Sequence, residues 1–202
     1  KPYAILIKVK DKAGNESDWI PGATLVYDTT KPTVAGVVLA PVSPVKVGAV
    51  TVTINFNEDM DTTVNPTVTF DLSGGSSPKT VVGNYVGGNP RQWQGTYTVA
   101  NGYDGTQILN ISGGKDKAGN VMDPNTANTF AIDTTVPVLA VTQPAADGFV
   151  MTAQQSFSDT ATDPTSGVKS VYVSVDGGTT WAPATVVGNN WTYTATLVQG
   201  AN

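Results

Sequence analysis

Asp11-Lys12-Ala13-Gly14-Asn15 returns unchanged as Asp116-Lys117-Ala118-Gly119-Asn120, and Asp28-Thr29-Thr30-Lys31-Pro32 returns as Asp133-Thr134-Thr135-Val136-Pro137. Positions 11 and 116 stand 105 residues apart, and so do 28 and 133. Self-similarity at one fixed spacing marks repeated structural units and outranks any local motif. Between the phrases, residues 16–27 and 121–132 differ at most positions, so the repeat is diverged.

The residue types say what each phrase does. Glycine allows positive φ, and Asp and Asn side chains fold back on nearby backbone groups, so Asp-Lys-Ala-Gly-Asn is a compact turn at which a strand ends. The second phrase follows a short apolar strand, residues 24–27 or 129–132, and its proline cannot donate to a ladder. It therefore reads as a boundary, with new units starting near Pro32 and Pro137.

Composition agrees with strands joined by turns. Of 202 residues, 21 are Gly and 13 are Pro, only 13% are charged, and Thr and Val recur throughout. No stretch carries apolar residues at helical spacing for long enough to make a helix, and the chain reads as all-β. A period near 105 residues divides this length into units each large enough to bury a core.

Several functions are disfavoured at this level. Cysteine and histidine are absent, which removes thiol chemistry and the commonest general base. The net charge is −5 and Arg91 is the sole arginine, so there is no basic face for nucleic acid. No apolar run approaches the ~20 residues of a membrane-spanning helix. Glu16 and Glu58 are the only glutamates and both fall in turns, so catalysis has little support and no enzyme is expected.

Alternation places the strands. Residues 3–10 put Tyr3, Ile5, Ile7 and Val9 on one face of a half-buried strand that enters the first turn. Residues 34–39 open the next unit, and in 49–56 Val50, Val52, Ile54 and Phe56 alternate with Thr and Asn. An acidic turn, Asn57-Glu58-Asp59-Met60-Asp61, ends that strand, and further strands follow over 67–72, 81–86, 93–99 and 107–112. Beyond Pro137 the strands are 138–141, 150–157, 168–175 and 191–197. Loops separate them at Pro144-Ala145-Ala146-Asp147-Gly148, at Asp163-Pro164-Thr165-Ser166-Gly167 and at a hairpin turn, Asp176-Gly177-Gly178. At the 105-residue offset, Ile5 and Ile7 fall on the polar Asn110 and Ser112. One extra residue restores the pattern, which predicts a β-bulge at Gly113-Gly114.

About seven short strands per ~100 residues point to β-sandwiches of immunoglobulin type in tandem. The phrases resemble bacterial immunoglobulin-like repeats of large surface proteins, and Asn55-Phe56-Asn57-Glu58-Asp59-Met60-Asp61 is similar to the Phe-Ser-Glu-x-Met-Asp run of S-layer-type modules, with Asn57 in place of Ser. The resemblance implies residues 32–136 as one complete module, 1–31 as the last strands of another and 137–202 as the first part of a third. It also implies an extracellular or cell-surface setting and a structural role, as spacer, stalk, adhesin arm or filament part. Residues 137–202 and 1–31 together make about one module's length. Adjacent copies are accordingly expected as partners, head to tail, either in a continuing chain or by strand complementation.

Each candidate site has a plainer reading beside it. Asp11, Asp28, Asp116, Asp133 and Asp163 resemble junction positions that supply calcium ligands in related adhesin repeats, where the ion would stiffen the array. Asp in such turns also simply bonds the backbone. Ser174-Val175-Asp176-Gly177-Gly178-Thr179-Thr180-Trp181 fits the Asp-box pattern of sialidase-like propellers, a structural hairpin with the Trp packed beneath. Trp93, Trp181 and Trp191 are core candidates, with a sugar-stacking platform as the alternative that would make this a carbohydrate-binding adhesin module.

Overall fold

A computed structural model describes residues 2–72, 75–142 and 150–198. Among these residues all regular structure is β-strand, paired antiparallel apart from an isolated parallel bridge. The loop at 144–148 lies outside the described residues, as does part of the Gly-rich loop before Lys79.

The chain gathers into two compact units. One comprises Lys1–Ser43, Gly48–Val99 and Thr106–Phe130, the other Pro44–Val47, Ala100–Gly105 and Ala131–Asn202.

In the first unit β1 (Pro2–Ile7) and β2 (Ile20–Val26) form a two-stranded hairpin whose register slips between Ala4 and Leu6. Both strands are exposed along their whole length. This corrects the half-buried reading: alternation supplies an apolar face, and among the described residues no layer covers it. Next come β3 (Val34–Ala40), β4 (Gly48–Phe56), β5 (Thr67–Leu72), β6 (Lys79–Thr80), β7 (Val82–Tyr85), β8 (Gln92–Val99), β9 (Gly105–Ser112) and β10 (Asn125–Ile132). They make two four-stranded sheets, ordered β3-β4-β8-β7 and β10-β9-β5-β6.

Alternation in β4 decides which face packs: Val50, Val52, Ile54 and Phe56 are all buried while the intervening Thr and Asn are not. Phe70 of β5 meets Tyr97 of β8 edge-on at 4.9 Å and Phe130 at 5.3 Å, so the two sheets face each other in a sandwich-like pair. Trp93 fills the space between them. Its ring lies so close over Gly95 that a Cβ there would stand 2.3 Å from Trp93 Cη2, which no side chain at position 95 tolerates.

The reading of 81–86 as one strand is corrected. Val81 is buried and its N–H donates to Val68 O, so the chain leaves β6 in one sheet, anchors at Val81 and enters β7 in the other. At the predicted bulge, β9 ends at Ser112 and Gly113 takes a left-handed φ of 76°.

In the second unit, Val45 pairs in parallel with Ile132, and both are fully buried. Then follow β11 (Val138–Leu139), β12 (Gln154–Thr162), β13 (Tyr172–Val173), β14 (Ala182–Pro183), β15 (Thr185–Val187) and β16 (Asn190–Thr196). Their sheets are β11-β12-β16-β15 and the two-stranded β13-β14. Ala161, Val171 and Trp191 form the buried centre, with Phe157, Val173 and Tyr193 only partly covered. The expected strands 150–157 and 168–175 are displaced and shortened respectively. Seven cross-strand partners on β16 carry β12 through its polar Ser158 and Asp159, whereas β13 has a two-residue partner and stops.

Candidate metal centre

The repeated turn is built identically in both copies. Asp11 Oδ1 accepts the N–H of Ala13 at 2.9 Å and of Asn15 at 2.8 Å, while Asn15 Nδ2 donates to Oδ2 at 2.8 Å. Asp116 Oδ1 accepts from Ala118 and Asn120, each at 2.8 Å, and Asn120 Nδ2 donates to Oδ2 at 2.7 Å. Gly14 and Gly119 close the turns at φ 96° and 92°, a conformation that favours glycine. The boundary phrases also match: Thr30 N–H donates to Asp28 Oδ1 at 2.9 Å and Thr135 N–H to Asp133 Oδ1 at 3.1 Å.

Three carboxylates from distant parts of the first unit converge. Asp28 comes from the first boundary phrase, Glu58 from the acidic turn after β4, and Asp116 from the second Asp-Lys-Ala-Gly-Asn turn. One oxygen of each lies within 4.8 Å of the others, the only such group of three or more among the described residues. Oxygens bound to one calcium ion, each about 2.4 Å from it, lie within about 5 Å of one another, so the trio is the right size for a single hard cation. Two contacts fix the arrangement. Met60 bridges Asp116, and Asn120 Nδ2 donates to the Asp28 carbonyl at 3.2 Å, tying the boundary to the turn.

The electrostatics fit a site short of positive charge. Burial, and then the neighbouring Asp28 and Asp116, push the Glu58 carboxyl above its ordinary range, with Arg91 opposing them less strongly. Burial pushes Asp116 up too, but the bonds from Asn120, Ala118 and Gly119 outweigh it and hold that carboxyl low. Nearby cations are engaged elsewhere: Arg91 Nε donates to Asp59 at 2.7 Å and Lys117 Nζ at 2.9 Å.

Of the five sequence candidates, Asp28 and Asp116 meet here, with Glu58 as the third member. Asp11 stands exposed with both oxygens engaged in its own turn. Asp133 and Asp163 line one surface pocket of the second unit, each accepting N–H groups of its own turn. The Asp163 carboxyl is held low chiefly by the Ser166 N–H, with Thr165 and Gly167 adding to it against burial. Glu58 escaped the candidate set because the acidic turn reads more readily as a solvated loop, and nothing local reveals that residues 28 and 116 face it.

The Asp-box motif folds as a hairpin loop between β13 and β14. Asp176 accepts from Ser174 Oγ at 2.8 Å, Thr180 N at 2.9 Å and Thr180 Oγ1 at 2.6 Å. These bonds, led by the Thr180 side chain, draw its carboxyl down to about 2. Trp181 is not packed beneath the turn: it is 63% exposed, its indole N–H donating to Gly178 O at 3.2 Å. Trp93 and Trp191 are buried, as core residues would be.

Comparison with protein-family models, curated proteins and solved structures finds no significant match to this chain. Among the described residues, no helix is long and apolar enough to cross a membrane.

Proposed function

We propose that this chain is a non-enzymatic structural segment of a bacterial cell-surface protein or extracellular filament, built from tandem immunoglobulin-like modules that supply reach and stiffness. The observation that carries the reading is the reuse of one junction device. The same Asp-centred turn, with the same donors on the same oxygens, stands at residues 11 and 116, and a matching boundary phrase follows each.

Stiffness would come from the junction. The boundary phrase is bonded to the following module's turn through Asp28 and Asn120, and a calcium ion held by Asp28, Glu58 and Asp116 would lock the two together. Small-angle scattering on the polypeptide tests this. An elongated particle that stiffens with calcium, and no longer does so in Glu58→Gln, is expected. A globular profile indifferent to calcium contradicts it.

A second reading, a carbohydrate-binding adhesin module, is favoured by one observation, the exposed Trp181 face. Glycan-array binding that disappears in Trp181→Ala would select it.

A further inference from the structure

The 105-residue offset extends from phrases to strands. Shifted by 105, β1 falls on residues 107–112 of β9, and β2 on residues 125–131 of β10. In residues 34–132 those two strands complete a sheet, with β9 pairing β5 from Thr67↔Ser112 to Leu72↔Gln107. Their apolar side chains are buried there: Phe130 is 3% exposed and Ile132 fully buried, whereas the equivalent Leu25 and Tyr27 are 56% and 75% exposed.

Residues 138–198 show the complementary deficit. The sheet β11-β12-β16-β15 repeats the order of β3-β4-β8-β7: first strand, second, last, then the one before last. The facing sheet repeats only β5-β6, as β13-β14. Among the described residues, β13 has no neighbour on the edge where β5 has β9, and around the buried Ala161, Val171 and Trp191 the flanking Phe157, Val173 and Tyr193 are only partly covered. An open strand edge beside an uncovered apolar core templates strand addition, and a lone hairpin in water is marginal until an apolar face is covered.

We propose that hairpin β1–β2 docks on a second copy of this chain, with β1 adding to the open edge of β13 as β9 adds to β5. The apolar residues of β1 and β2 then close the core around Val171 and Trp191. Donor and acceptor are different surfaces, so the contact is heterologous and propagates head to tail. The inference rests on the tandem-module reading above and names its partner.

Sedimentation equilibrium on the 202-residue polypeptide tests it with two variants at exposed positions. Ile7→Asp/Leu25→Asp disables the donor and Tyr172→Asp the acceptor. Wild type should exceed 20.9 kDa increasingly with concentration, and each variant alone should stay at 20.9 kDa. Their equimolar mixture, holding one intact donor and one intact acceptor, should form a species of twice that mass. Monomeric wild type at every concentration overturns the proposal. So does association surviving in either variant, which in Tyr172→Asp is the mark of hairpin meeting hairpin, or a mixture that stays monomeric. Scattering from the monomeric donor variant still reports particle elongation, so failure of docking and failure of the module reading are separable.

Discussion

Two strand pairs of this chain carry the same flanking phrases and live in different surroundings. β9–β10 sit in a four-stranded sheet facing a second one, with Leu109, Ile111, Phe130 and Ile132 buried, while β1–β2 stand alone with Leu6, Ile7, Leu25 and Val26 exposed. Yet the turn joining each pair is bonded identically, atom for atom. Local hydrogen bonding to one Asp and one left-handed glycine therefore makes the turn without help from tertiary burial. The strands on either side owe their environment to what lies over them.

Equivalent substitutions should separate these contributions. The largest difference is expected for Phe130→Ala against Leu25→Ala. Removing a buried phenylalanine costs about 3–5 kcal/mol, whereas truncating exposed Leu25 in the dilute monomer should leave the chemical-denaturation midpoint nearly unchanged. Equal losses would break the comparison.

Next, Asp116→Ala should destabilise by about 1–3 kcal/mol, since it strips an acceptor from three donors in a buried turn. Asp11→Ala should leave global unfolding almost untouched, its effect confined to amide shifts of residues 13–15.

A smaller effect is expected at Glu58. Its carboxyl is raised, so without a divalent ion its contribution is fully present below the ordinary carboxylate pKa and is lost as pH rises through the higher folded value. Glu58→Gln should accordingly flatten that part of the stability profile and raise the melting temperature in chelator at neutral pH. It should also remove any gain on adding calcium. A variant that keeps the full calcium response sinks the metal centre.

The smallest effect belongs to the Asp176 loop. With its carboxyl drawn down to about 2, the loop's stabilisation is present above the ordinary Asp pKa and fades as pH falls toward that value. Trp181 fluorescence should follow this transition in the wild type and lose it in Asp176→Asn.

Much of the fold is legible from alternation. Residues 67–72 are β5 as read, and β4 differs from its reading only by the added Gly48, because β-branched residues facing one core leave a period-two signature. Short elements were illegible for the opposite reason. β14 and β15 are two and three residues long, and the crossing between sheets at Val81 shows no break in composition. The repeated phrases exposed Asp28 and Asp116, but the carboxylate between them came from a loop whose position depends on β4 ending where it does. Exposure of β1–β2 was equally hidden, since an apolar face looks the same whether covered or bare.

Native-state hydrogen exchange reads both strand pairs in one sample and tests the central contrast most directly. In dilute solution the amides of β9 and β10 should be protected to the level of global unfolding, while those of β1 and β2 exchange almost freely and slow as concentration rises. Protection of β1–β2 equal to that of β9–β10 at the lowest concentration, or none at the highest, would contradict the account.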